Sequence, residues 1–242
     1  AFVDLGQFQI DVAQNEYADD SVRLHFKAYL DETVYGNFEE KLTSFSGKES
    51  AAVFPRFRSL PNRVKITRLP GEVRFLGGIS VIGSKFYGSG NDSSKAELLF
   101  YYKDTLRIRG RAERFLMRPD MLYSEDVATS LYLKEDSIYN PKLTMRFLPE
   151  KKEFTLIRED EGMGMAPFND TYHQMDMKFQ TVRWEVGSPL MQLSNLNTGG
   201  AEAPAVFESH NYYRDKRWRA IEGMNRRSPL LDLRDLSRSR NG

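Results

Sequence analysis

The feature that most constrains this chain is a two-residue alternation of apolar and polar side chains that recurs for most of its length. In Val22-Arg23-Leu24-His25-Phe26-Lys27 the even positions are apolar and the odd ones polar. That pattern puts one set of side chains on each face of an extended strand, so one face is buried and the other wet. Leu143-Thr144-Met145-Arg146-Phe147 and Phe154-Thr155-Leu156 repeat it, with Pro149-Glu150-Lys151-Lys152 between them as a turn, which predicts a hairpin or a solenoid corner. Further strands are expected near 37–45, 52–58, 63–69, 72–87, 96–102, 105–109, 112–117 and 127–133. The run Leu98-Leu99-Phe100-Tyr101-Tyr102 does not alternate and suits a strand covered on both faces. In the segment 175–186 the apolar residues are odd-numbered up to Phe179 and even-numbered from Val182. A strand changes phase in this way only through a bulge or bend, which places one at Gln180-Thr181.

No long helical periodicity precedes residue 205. The fold class expected is therefore all-β: a β-solenoid or a sandwich-like stack of short strands, with a short helical segment at the C-terminal end. The β-rich domain spans 1–205, with sub-regions 1–60 and 61–205. Residues 206–242 read as a helical connector or the start of a further module. There, 211–223 has the character of a short helix closed by Gly223, and Ser228-Pro229 is a cap followed by proline at the first helical position. Leu230, Leu233 and Leu236 give that second helix an apolar stripe that needs a surface to bury against.

Composition narrows the chemistry. At 242 residues, 40% hydrophobic, the chain can build a core. With 35 Lys plus Arg against 34 Asp plus Glu it lacks the basic surplus of a dedicated nucleic-acid binder. It has no cysteine, which excludes disulfides, thiolate metal sites and thiol nucleophiles. No apolar run approaches the roughly 20 residues that span a bilayer as a helix. The first residues, Ala1-Phe2-Val3-Asp4-Leu5, lack the basic and apolar regions of a signal peptide, and both ends read as cuts through something longer.

No window of sequence assembles a catalytic, cofactor or metal site, so none of these is expected. Glycines 78, 83, 88 and 90 match neither a P-loop nor a dinucleotide fingerprint and read as bends in successive strands. His25 sits on the polar face of its strand and is expected to be exposed, and His210 has only Glu208 nearby. His173 has the most suggestive setting, with Asp170, Thr171, Tyr172 and Asp176 around it, yet no third ligand or nucleophile is in view. The acids of Arg158-Glu159-Asp160-Glu161 do not follow a calcium loop and read as a solvated turn. Between Arg214 and Arg240 nine basic residues face four acidic ones, interleaved with aromatics. Tyr212, Tyr213, Arg217 and Trp218 are accordingly the candidate partner contacts. Packing against the β domain is the favoured use of those aromatics, with the charges left in water.

Several stretches taken together resemble a family of very large multi-domain cell-envelope proteins of Bacteroidetes-type bacteria. They are Tyr35-Gly36-Asn37-Phe38-Glu39-Glu40-Lys41-Leu42, Val53-Phe54-Pro55-Arg56-Phe57-Arg58-Ser59, Gly77-Gly78-Ile79-Ser80 through Gly88-Ser89-Gly90, and Asp136-Ser137-Ile138-Tyr139-Asn140-Pro141. Asp160-Glu161-Gly162, Tyr172-His173-Gln174-Met175-Asp176-Met177 and Phe207-Glu208-Ser209 before Asn211-Tyr212-Tyr213 complete the likeness. It implies an exported protein in which β-rich rungs alternate with small helical modules, loosely similar to lipopolysaccharide-transport and AsmA-type envelope proteins. The implied setting is the periplasm or the outer-membrane surface. The implied partners are other domains of the same protein, other envelope proteins, and lipid or glycan. The resemblance carries no functional residues onto this sequence. The function expected is a non-enzymatic structural or binding module that holds or passes an apolar or polymeric ligand. The alternative is a carbohydrate-active β-helix or β-sandwich enzyme with a carboxylate pair.

Truncation at residue 209 tests the reading of the tail. Burial of Trp218 and the stripe leucines at about 1.5–3 kcal/mol per side chain predicts a lower melting temperature or aggregation for the shortened chain. Salt-sensitive, submicromolar binding of DNA, RNA or anionic vesicles that vanishes on truncation would instead make the tail a functional arm.

Overall fold

The computed structural model describes residues 2–5, 9–11, 13, 15–41, 52–61, 63–90, 94–134, 136–159, 162–195, 205–210 and 229–240. Its strands are β1 (Phe2–Asp4), β2 (Gln9–Asp11), β3 (Glu16–His25), β4 (Val34–Lys41), β5 (Arg56–Ser59), β6 (Val64–Leu69), β7 (Val73–Ile82), β8 (Lys85–Ser89), β9 (Ala96–Tyr102) and β10 (Thr105–Ala112). Then come β11 (Arg114–Met117), β12 (Leu122–Leu133), β13 (Asp136–Leu148), β14 (Glu153–Ile157), β15 (Phe168–Asp170), β16 (Met175–Lys178), β17 (Thr181–Glu185), β18 (Gln192–Ser194) and β19 (Val206–Ser209). One 3₁₀ turn, Gly162–Met165, and one α-helix, α1 (Pro229–Arg240), are the helical elements among the described residues. The chain divides into two compact units, 1–207 and 208–242.

The first unit is one long antiparallel meander. Long strands alternate with pairs of short ones that follow each other along the same long neighbour. Residues Val73–Gly77 of β7 pair with β6, and Val73–Leu76 also pair with β9; farther along, β7 pairs with β5 and β8. On one side β12 runs beside β10 and then β11, and on the other it forms a long hairpin with β13. In turn β13 carries β14 and β15. The all-β expectation holds. Its solenoid form finds no parallel rung among the described residues, because every pairing folds the chain back rather than coiling it.

The alternation read in the sequence decides which face is buried. Along β7 the side chains of Val73, Phe75 and Ile79 are fully buried, while Arg74 points to solvent. Inner faces of strands that are not neighbours then meet. Phe100 of β9 packs edge-on against Phe147 of β13 at 5.2 Å and Phe154 of β14 at 5.0 Å between ring centroids. At the other end Phe86 of β8 stacks on Tyr29 and meets Phe26 edge-on, which fastens the 26–30 turn over the core. Each such ring contributes about 1.5–3 kcal/mol through burial, and aromatic pairs add a fraction more.

Turn chemistry and bulges set the boundaries. The β9–β10 hairpin turns through Lys103 and Asp104, both at positive φ (48° and 59°), the two-residue turn whose twist suits adjoining strands. The 72–87 strand expected from sequence is corrected to a hairpin. Gly83, at φ 58°, turns the chain between β7 and β8, a conformation open to glycine at little cost. Gly78 and Gly88, expected as bends, are not: Gly78 pairs with Ser89 and Gly88 with Ile79 in a regular ladder. The phase change in 175–186 is present as expected. The chain breaks between β16 and β17, and Phe179, Thr181 and Val182 are all buried.

In the second unit α1 begins at Pro229, as its start signal predicts. Two leucines of the stripe do not bury: Leu233 and Leu236 are 63% and 56% exposed. The helix read over 211–223 lies outside the described residues.

Gly88 gives the core a direct test. A Cβ there would run into the Phe75 ring and the Met117 methyl. Gly88→Ala is expected to destabilise the protein by about 1–3 kcal/mol, as overpacking does, measured by chemical denaturation. The double variant Gly88→Ala, Met117→Ala should recover part of the interaction energy, since the two sites share that space.

Candidate functional site

The outer face of the meander carries a groove of about 1090 Å³ that crosses six strands. Its axis is a single row of cross-strand partners: Asn37 on β4, Arg58 on β5, Ser80 on β7, Tyr87 on β8, Leu116 on β11 and Tyr123 on β12. Adjacent strands lie roughly 4.8 Å apart, so the row runs about 24 Å. The row faces outward because the flanking residues Phe57, Ile79, Phe86 and Phe115 are committed to the core. At the β12 end the register shifts between Ser124 and Val127, and Asp126 has φ 56°. That bulge brings Glu125 and Asp126 to the groove wall.

Polar contacts fix parts of this surface. Ser80 Oγ and Ser89 Oγ are 2.7 Å apart. The Arg114 guanidinium lies 5.2 Å from the centre of the Tyr87 ring. Arg56 donates from Nε to the Val53 carbonyl at 3.0 Å, covers the Phe54 ring and is 3.9 Å from Glu39. Tyr123 donates its hydroxyl to Glu125 at 2.6 Å. That bond to a carboxylate, with burial and the charges of Glu125 and Glu159, pushes the Tyr123 pKa up to about 12. Asp126 is held by Lys142 Nζ at 2.9 Å.

A second cluster forms where the start of β13 meets the β15–β16 turn. Ligand atoms of Asp136, Asp170 and His173 lie within 4.8 Å of one another. His173 Nδ1 is 3.0 Å from Asp170 Oδ2 and 3.5 Å from Asp136 Oδ2, and the His173 backbone N–H donates to Asp170 Oδ1 at 2.9 Å. The Tyr172 N–H donates to Asp136 Oδ1 at 3.2 Å. These three side chains are the ones among the described residues whose ligand atoms lie close enough together to share a cation. The same atoms also close the turn: Asp170 is 5% exposed and spends its oxygens on His173. Burial alone would raise the Asp170 pKa. The His173 backbone N–H, the imidazole as donor and as charge, and a hydrogen bond with Asp136 outweigh it and hold the carboxyl below its ordinary 3.8.

The residues singled out from sequence fare unequally. Tyr212, Tyr213, Arg217 and Trp218 lie outside the described residues, as do Asp160 and Glu161. His25 is corrected from an exposed residue to a half-buried one that ties strands together, with Nε2 2.8 Å from Asp4 and Nδ1 3.3 Å from the Thr33 hydroxyl. Around His173, Asp170 takes part but Asp176 does not share the cluster; it accepts from Asn169 at 3.1 Å. Asp136 was missed, because only the pairing of Ile138 with Asp170 brings it there. The groove was missed as a whole. Alternation marks Arg58, Tyr87 and Arg114 as outward-facing but says nothing of which strands lie side by side.

His173→Ala removes the imidazole's share of what offsets Asp170's burial, leaving the backbone N–H in place, and is expected to cost about 1–2 kcal/mol near neutral pH. A carboxyl with a depressed folded-state pKa adds stability above its unfolded value and loses it as pH falls through the folded value. The gap between wild type and variant should therefore shrink below about pH 4, as followed by thermal melts across pH. Comparison with known protein families, curated proteins and solved structures gives no match to this chain.

Proposed function

We propose that this chain is a non-enzymatic binding module of a larger bacterial envelope protein, and that it holds an extended polymeric ligand along the outer groove. The observation that carries this reading is the groove itself. A trough about 24 Å long that is lined by serines, tyrosines, arginines and carboxylates suits a chain of repeating polar units. The alternative of an apolar ligand is less well supported. Phe75, Phe100, Phe115, Phe147 and Phe154 fill the inner face to 0–1% exposure and leave it packed, and the groove offers only Ile82 and Leu116 as aliphatic lining. The resemblance to envelope proteins supports the setting.

Binding is favoured over glycoside hydrolysis by how the groove's acids are used. Hydrolysis needs one carboxyl free to give a proton and another free to attack or activate water. Here Glu125 accepts from Tyr123, Asp126 pairs with Lys142 and Glu39 lies beside Arg56.

Binding to a panel of soluble neutral and acidic polysaccharides, followed by calorimetry, tests the proposal. At least one should bind without being cleaved, and Leu116→Ala with Tyr123→Ala should weaken it by roughly tenfold, or about 1.4 kcal/mol, with the melting temperature nearly unchanged. If no polysaccharide binds, or if binding survives both substitutions, the groove is not the site.

A further inference from the structure

We infer that the ligand of this groove is an acidic polysaccharide, whose anionic groups are held between Arg58 and Arg114 over the hydroxyl pair Ser80 and Ser89. The inference rests on the groove reading above and adds the chemical class of the ligand. Arg58 is the cross-strand partner of Ser80, and Arg114 that of Ser89. The two serines touch each other through their hydroxyls on the strands between. The arginines thus stand on either side of a hydroxyl floor, three strand spacings or roughly 14 Å apart. Guanidinium groups bind carboxylate, sulfate or phosphate oxygens in pairs, and neighbouring hydroxyls donate to the same oxygens.

Cations are the larger share of the unpaired charge here. Among the described residues, Arg58 and Lys95 have no ion-pair partner, and Arg114 has only the Tyr87 ring. Glu39 is matched by Arg56 and Asp126 by Lys142, which leaves the charges of Glu113 and of Glu125, whose partner Tyr123 is a neutral hydroxyl. Four cations and four carboxylates line the groove, and three cations against two carboxylates lack an opposite charge, so an anion is favoured less by net charge than by the place of Arg58 and Arg114 on either side of the hydroxyl floor.

The same features select among anionic chains. A peptide laid along the groove would find no backbone partners, because the floor's N–H and C=O groups are taken by the sheet ladder. A nucleic acid carries a phosphate at every unit and would face Glu39, Glu113, Glu125 and Asp126 as well as the arginines. A lipid would find no apolar slot for its acyl chains. A glycan with spaced acidic groups meets the arginines with its charges, and the serines, Asn37 and tyrosines with its hydroxyls and ring faces.

The test uses the whole 242-residue chain and polygalacturonate at zero, intermediate and full methyl esterification, with single-stranded DNA as a second arm. The backbone is then constant while the charge is removed. Binding is expected to be tightest for the partly esterified chain, whose charges are spaced, weaker for the free chain, which carries a charge at every unit as DNA does, and about tenfold weaker or absent for the fully esterified one. Arg58→Gln and Arg114→Gln should each weaken it by about tenfold or more, the loss expected for a charge-assisted hydrogen bond. Thermal melts confirm folding, and added salt should weaken the wild type more than either variant. Equal binding of the esterified chain, indifferent to both arginine substitutions but lost with Leu116→Ala and Tyr123→Ala, overturns this inference and leaves the groove reading standing. DNA bound more tightly than partly esterified polygalacturonate overturns the polysaccharide class. Failure of every polysaccharide, charged or neutral, overturns both.

Discussion

The contact on which the first unit most depends is the meeting of Phe100, Phe147 and Phe154 in its interior. In a meander, sequence neighbours pair through the backbone, and those hydrogen bonds hold only adjacent strands. The three rings join β9 to β13 and β14, which are not consecutive, and so make the sheet close over its own apolar face. A two-stranded hairpin is marginal alone in water, whereas a curled sheet with a dry interior is stable. The glycines fit around this packing. Gly88 and Gly77 lie where a side chain would strike Phe75, and Gly71 where one would strike Phe147.

With the inner face committed to packing, chemistry is left to the outer one. Every strand of the groove row contributes one outward residue per step, and its neighbours on either side are buried anchors such as Phe57 and Phe115. This makes the row rigid at its roots. A substitution at Arg58 or Leu116 changes what the groove offers without opening the core. The bulge on β12 is the exception to regularity, and it sits at the groove's end. There it costs one left-handed residue, Asp126, and in return places Glu125 where it can accept from Tyr123.

How much of this was legible in the sequence follows from the range of the interactions. Strand positions are local, and alternation located most of them. Even the phase change at Gln180-Thr181 could be read, because a switch of buried face is written in adjacent residues. The hairpin at Gly83 was hidden since the apolar pattern runs almost unbroken through 72–87 and only the positive φ marks the turn. The Asp136–Asp170–His173 cluster needs the pairing of Ile138 with Asp170, and the row from Asn37 to Tyr123 needs distant pairings such as Arg58 with Ser80 and Tyr87 with Leu116. Loop closure over such distances is decided by the whole core, not by any window of it. The leucines of α1 mislead for the opposite reason. Spacing gave them a common face, but a face describes the helix and not what covers it.

The two groups with shifted acidity set the pH range over which their own contacts persist. Asp170 has its pKa lowered, so its anchoring of the β15–β16 turn is in place above its ordinary value and is lost only as pH falls through the lowered one. Tyr123 has its pKa raised to about 12, so its neutral hydroxyl keeps donating to Glu125 until strongly alkaline pH. Arginine does not deprotonate in proteins. Arg58 and Arg114 therefore keep their charge, and Tyr123 its bond to Glu125, until strongly alkaline pH. Affinity in that range is therefore governed by salt and by the ligand's own ionisation, and not by titration of Asp170, Tyr123 or the groove's arginines. A steep pH dependence near neutrality, with a ligand that stays fully ionised there, would mean that a histidine participates. The groove row contains none, and His25 and His173 are bound to Asp4 and Asp170. The physical signature of the site is thus sensitivity to salt with tolerance of pH, which separates guanidinium recognition from any histidine-based switch.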